Sequence, residues 1–168
     1  MSHCTEHREF IPRSDTPAAM PKGIAVHYYQ RWPSKPQEIT ADSLRRVMKN
    51  LWEGKWENLF LTNDTTFEQN FMQLESGGGL YALQFVRDNT GGSGEESAWF
   101  SVYDPEHLDS DVETDIECSD GQSIIYRGDV TNDKEAVMTA IEYFIRTGEL
   151  WNGIPWMKSW QEWDWSEK

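Results

Sequence analysis

The sequence predicts an α+β fold: an antiparallel meander sheet with two main helices packed on it and a Trp-rich C-terminal segment. Three observations carry this. Two segments place apolar residues at helical spacing. Between them lie four runs rich in β-branched and aromatic residues, joined by glycine-rich turn material. The chain is 168 residues long, which suits one domain with a core of its own.

Residues 1–22 are polar, interrupted by Pro12, Pro17 and Pro21, and lack both helical and strand periodicity, so they read as a loosely ordered lead-in. Residues 23–168 then form a single α+β domain. It opens with a strand over 23–32, GIAVHYYQRW, which ends against Pro33. Thr40 precedes Leu44, Val47, Met48, Leu51 and Trp52, a spacing that predicts an amphipathic helix over 41–53, capped by Thr40 and stopped by Gly54. Strands follow at 56–62, 70–76, 80–87 and 97–103, and a further hairpin pairs 111–117 with 123–129. A second helix over 133–147 has Asn132 and Glu135 as a capping-box pattern and a stripe of Val137, Ala140, Ile141, Phe144 and Ile145. Leu44, Val47, Leu51, Val137, Ile141 and Phe144 are the expected core positions.

Charge narrows the function. The chain has 29 Asp plus Glu against 15 Lys plus Arg, a formal net charge of -14. Such a chain repels nucleic-acid backbones and anionic membranes at long range and attracts basic partners. Aromatics make up 13% of residues, nine of them Trp, which disordered acidic chains do not carry. The start of the chain lacks a basic n-region followed by an apolar stretch, no run approaches a membrane span, and Cys4 and Cys118 do not make a disulfide framework. A cytoplasmic protein is the expectation.

Motifs for catalysis are missing from the chain: it contains no GxSxG, P-loop, HExxH or strand-linked GxGxxG. His3, Cys4 and His7 are three metal-capable residues in the lead-in with nothing to complete a zinc pattern, and His27 and His107 stand apart from one another. No catalytic residue, metal or cofactor is expected.

The carboxylates are concentrated. Eight lie between Asp104 and Asp120, with no Lys or Arg among them. Asp109, Asp111, Glu113, Asp115 and Glu117 fall on one parity, and Ser110, Val112, Thr114, Ile116 and Cys118 on the other. As a strand, this segment would bury Val112, Ile116 and Cys118 and display five carboxylates about 6.6 Å apart. Three readings stand: a solvated acidic edge that discourages strand pairing, a docking face for a basic protein, or a divalent-metal or acid/base site. In the docking reading the partner-binding residues are Asp109, Asp111, Glu113, Asp115 and Glu117, with Glu106 and the preceding Trp99 and Tyr103. The tail holds Trp156, Trp160 and Trp163 at i, i+4, i+7, which a helix would align on one face, either to cap the core or to form an exposed aromatic patch.

The stretch IECSDGQSIIYRGDVTNDKEAVMTAIEYFIRTGELWNGIPW resembles the first immunity-protein family of bacterial polymorphic toxin systems. The likeness lies in a strand ending in Gly, a short acidic step, a helix of the form EAxxxAIxYFIxTG and a Trp a few residues later; upstream, NFMQLESGGGLYALQFVRDN resembles that family's central hairpin. Together these span roughly residues 70–160. This chain departs in having Glu149 and Leu150 where the family often has Arg-Pro, and residues 1–40 have no counterpart. The resemblance implies a cytoplasmic antidote that binds one cognate toxin domain about 1:1, commonly a basic nuclease or nucleic-acid deaminase, and occludes it without turnover. The alternative is an acidic adaptor or chaperone-like module without a single cognate toxin.

Overall fold

Alternation of apolar and polar residues through 69–88 becomes the central hairpin of the sheet in the computed structural model, which describes residues 2–165. Strand β5 (Gln69–Gly77) pairs antiparallel with β6 (Leu80–Asp88), with Met72 opposite Phe85 and Leu74 opposite Leu83. Gly77 faces Leu80 across a two-residue turn in which Gly78 and Gly79 have φ of 60° and 79°. Successive positive φ values match the right-handed twist of the flanking strands, and glycine adopts them without a Cβ clash.

The remaining strands extend this hairpin on both sides. They are β1 (His3–Ile11), β2 (Tyr28–Gln30), β3 (Gln37–Glu38), β4 (Asn58–Thr62), β7 (Trp99–Ser101) and β8 (Trp156–Asp164). The sheet has eight strands in the order β1-β8-β7-β6-β5-β4-β2-β3, every neighbouring pair antiparallel. Helices α1 (Ala41–Trp52) and α2 (Lys134–Thr147) touch one another, and α2 lies against β6. The fold is α+β.

Both helices follow their stripes. Thr40 caps α1, its side chain accepting from the Ser43 N–H, while Ser43 Oγ accepts in return from the Thr40 N–H. Asp133, rather than Asn132, caps α2 by accepting from the Ala136 N–H. The six expected core positions are all at most 3% exposed. Phe144 meets Phe85 edge-on at 5.6 Å between centroids, which seats α2 on the sheet. The strand face that meets the helices carries Tyr29, Leu59, Leu61, Met72, Leu74, Leu83, Phe85 and Phe100, each buried. The opposite face is the one left for other contacts.

Several expectations are corrected. The polar lead-in contains a nine-residue strand, β1, paired with β8 along its whole length from His3 opposite Asp164 to Ile11 opposite Trp156. As an edge strand it lies largely in water, so it has no apolar period to read. Side chains secure it instead: His7 stacks on Trp160 at 5.2 Å, and its Nε2 lies 3.0 Å from a Glu162 carboxylate oxygen. The strand expected over 23–32 contracts to Tyr28–Gln30, because Ala25 and Val26 donate their N–H groups to the Ile145 carbonyl at the end of α2. The Trp-rich tail is a strand, not a helix: Trp156 and Trp160 share the helix-side face and Trp163 points the other way. An i, i+4 pair satisfies both periods, and only Trp163 separates them.

Candidate functional site

On the open face the side chains of β6, β7, β8 and β1 stand in cross-strand register, with Val86 opposite Trp99, Trp99 opposite Ser159 and Ser159 opposite Arg8. The chain from Asp104 to Val130, here called the acidic strap, is anchored to this face at two points. Arg8 grips Asp109 bidentately, Nη1 to Oδ1 at 2.7 Å and Nη2 to Oδ2 at 3.2 Å. That contact holds the Asp109 carboxyl below the usual carboxylate range and raises Arg8. Near its middle the Ser119 N–H and hydroxyl donate to Glu75 of β5, a residue only 4% exposed. Between these anchors Ile116 is buried and packs on Gly77.

The strap is not the regular hairpin expected over 111–117 and 123–129. Asp109 has φ of 57°, which breaks any strand at its start. Only a few rungs form: Arg127 N–H to the Val112 carbonyl, Thr114 N–H to the Ile125 carbonyl, and a bridge between Glu113 and Tyr126. Val112, expected inside, is 60% exposed, and Cys118 is half-buried. The evenly spaced row of five carboxylates is therefore not formed. Irregular backbone persists because side-chain contacts to the sheet replace the missing ladder.

The candidate partner-binding residues fall into separate settings. Asp109 is engaged by Arg8. Asp111, Glu113, Asp115 and Glu117 are exposed, and their carboxylates have no hydrogen bond or ion pair among the described residues. Glu106 is exposed on a single 3-10 turn, Pro105–His107. Tyr103 is half-buried and meets Phe10 of β1 edge-on at 5.1 Å. Trp99 is 44% exposed and lines two hollows of about 550 and 470 Å³. Sequence reasoning placed Trp99 in a strand but gave no sign that it stands between two cavities.

The larger hollow runs from Trp99 past Arg8 and Gln161 to the loop containing Gly91 and Gly92. The smaller one lies between the strap and the sheet. Its floor includes Gln73, Glu75, Gln84 and Ser101, and its wall includes Cys118, Asp120, Ile124 and Asp129. Burial, then Glu75 and Asp120, push the Cys118 thiol up to about 11, so it stays protonated near neutral pH. Burial, then the nearby Asp109, push the Asp129 carboxyl up, with Arg8 acting against the shift. Sequence spacing could not find Glu75 or Asp129, because one lies on the central hairpin and the other follows the expected ladder.

Asp104, Glu106 and His107 are the one grouping of three metal-capable side chains among the described residues, with ligand atoms within 4.8 Å of one another. Its acid is already engaged: the Asp104 Oδ2 lies 2.9 Å from His107 Nδ1 and accepts from Arg127 Nη1 at 2.7 Å. Burial opposes ionisation of Asp104, but the Glu106 N–H, His107 and Arg127 together hold its carboxyl below the usual range. The group thus ties the two ends of the strap together. His3, Cys4 and His7 do not converge either, since alternation along β1 turns Cys4 to the opposite face. No described helix is long and apolar enough to cross a membrane.

Comparisons with protein-family models, with curated proteins and with solved structures returned no match.

Proposed function

We propose that this protein is a cytoplasmic immunity protein, a stoichiometric binder that covers the substrate site of one basic toxin domain, a nuclease or nucleic-acid deaminase. The observation that carries the reading is the acidic strap on the open sheet face. Five of its carboxylates, those of Glu106, Asp111, Glu113, Asp115 and Glu117, are exposed and have no hydrogen bond or ion pair among the described residues. Toxin domains that hold nucleic acid are basic where they bind it, and concentrated charge of opposite sign speeds and orients their docking. The resemblance between residues 70–160 and the immunity family supports the same assignment.

The test is a titration against the basic toxin domain that this reading places beside its gene, following residual toxin activity with and without a chelator. Protection saturating near one equivalent, with no metal requirement, is the expected result. Full protection at a hundredth of an equivalent, loss of protection with chelator, or a locus without a toxin reading frame overturns it. Similar affinity for several unrelated basic proteins would instead favour the adaptor.

A further inference from the structure

The sheet ends differently on its two sides. At one edge β3 is two residues long, whereas at the other β1 runs for nine, His3–Ile11, and pairs only with β8. No further backbone hydrogen bond reaches β1 among the described residues, and none of its residues is buried. In an antiparallel edge strand every second residue turns both its N–H and its C=O away from the neighbour. β1 therefore offers a row of unpaired backbone groups along its whole length, a ready template for another strand.

Charges on an edge ordinarily discourage such pairing, but their order in β1, HCTEHREFI, is self-complementary. Two antiparallel copies related by a two-fold axis must oppose residues that both face outward, so the axis passes through a residue and not between two. With the axis at His7 all nine residues overlap, and Glu6 of each copy stands opposite Arg8 of the other. Moving the axis to Glu6 or to Arg8 shortens the ladder and sets that charge against itself, which destabilises the pair. Glu6 is free to take part: it has no ion pair among the described residues, and its hydrogen bond is a 3.5 Å contact with Gln161 Nε2. Arg8 gives one N–H of each Nη to Asp109, which leaves further donors on the guanidinium. The same axis puts Phe10, 40% exposed, opposite Cys4 of the second copy.

We infer that a second copy of this chain pairs antiparallel along β1, with His7 on the two-fold axis, joining the two sheets into one. Backbone hydrogen bonds hold such a pair and the side chains fix its register. The inference goes beyond the docking of a basic domain and does not depend on it. The formal net charge of -14 on each copy opposes approach at long range, and salt near 0.15 M, with a Debye length of about 8 Å, screens that repulsion.

Sedimentation of the full chain at this salt should show a monomer–dimer equilibrium. Glu6→Lys, which puts like charges together twice in the dimer, should weaken it about ten-fold. Glu149→Lys makes the same charge change at an exposed site past α2 and should weaken nothing, since it only lowers the net repulsion. Register is read by cross-linking with oxidised glutathione in a chain carrying Cys4→Ser and Cys118→Ser. His7→Cys should give a covalent dimer, because residues on the axis lie within disulfide reach. Thr5→Cys should not, because its two copies stand about 13 Å apart along the strands. A monomer up to about 1 mM, where even a millimolar Kd would show, overturns the inference. So does a dimer that Glu6→Lys leaves unchanged, or one that Thr5→Cys links as readily as His7→Cys. A dimer that inhibits no toxin would leave this inference standing and overturn the docking reading, and a strict monomer that inhibits one equivalent would do the reverse.

Discussion

Asp129 carries a cost that pH can reveal. Burial and the neighbouring Asp109 raise its carboxyl in the folded protein, so the folded chain takes up that proton at a higher pH than the unfolded chain does. The contribution to stability is therefore unfavourable when both states are ionised, and it is relieved as pH falls through the raised folded value. Asp129→Asn should raise the thermal midpoint at pH 7, and the gain over wild type should shrink as pH falls through the carboxylate range. Thermal melts across pH 3 to 8 check this, and a variant less stable at pH 7 would mean that the carboxylate is compensated by a partner. The sequence marks Asp129 only as one acid among 29, because its burial depends on how the strap crosses the sheet.

At the scale of elements, the strap depends on close backbone approach. A Cβ on Gly128 would press on the His107 carbonyl oxygen and crowd the Asp109 nitrogen at 3.4 Å, and Gly128 itself is buried. Its carbonyl accepts from the Asp104 N–H at 2.9 Å, joining the two ends of the strap. Gly128→Ala should destabilise the protein by about 1–3 kcal/mol, the usual range for overpacking against a well-packed neighbour. Denaturant unfolding measures this, and amide exchange should quicken first in the strap, where the lock is lost. An unchanged midpoint would show that the His107 turn moves aside freely. The helices and the central hairpin were legible because each has a strong local period: the stripe of α2 repeats at helical spacing, and β5 and β6 alternate around a Gly-Gly turn. The edge strand β1 has no such period, and the strap has a misleading one, since its strict alternation of acids suits a strand that Asp109 and the sheet contacts prevent.

Across the whole molecule, charge and shape divide the surface. The helices close one side of the sheet, and the unpaired carboxylates of the strap lie on the other. A field concentrated in this way acts before contact, so it governs association more than dissociation. Reversing Asp111, Glu113 and Asp115 to Lys should slow association with the basic partner by about ten-fold or more at low salt, with little change in dissociation, as steered pairs behave. Stopped-flow or surface-binding kinetics over a salt series would show it. An on-rate unchanged in the triple variant would leave these acids as protection for an exposed edge.

Sequence alone determined the class of this protein: an acidic α+β chain with two amphipathic helices, a glycine-turned hairpin and a carboxylate-rich segment without bases. These follow from periods and charges that neighbouring residues express by themselves. Tertiary structure decided the rest. Ile11 and Trp156 stand opposite one another only because the two ends of the chain pair as β1 and β8, and the tail is a strand because β7 and β1 offer it two edges to bond. Likewise Arg8 meets Asp109, and Ser119 meets Glu75, across 101 and 44 residues of chain. Local propensity cannot encode such meetings, since each depends on which backbone edges and faces remain unsatisfied after the core has formed. The cavity beside Trp99 is bounded by those same long-range contacts, so its chemistry emerges only with the fold.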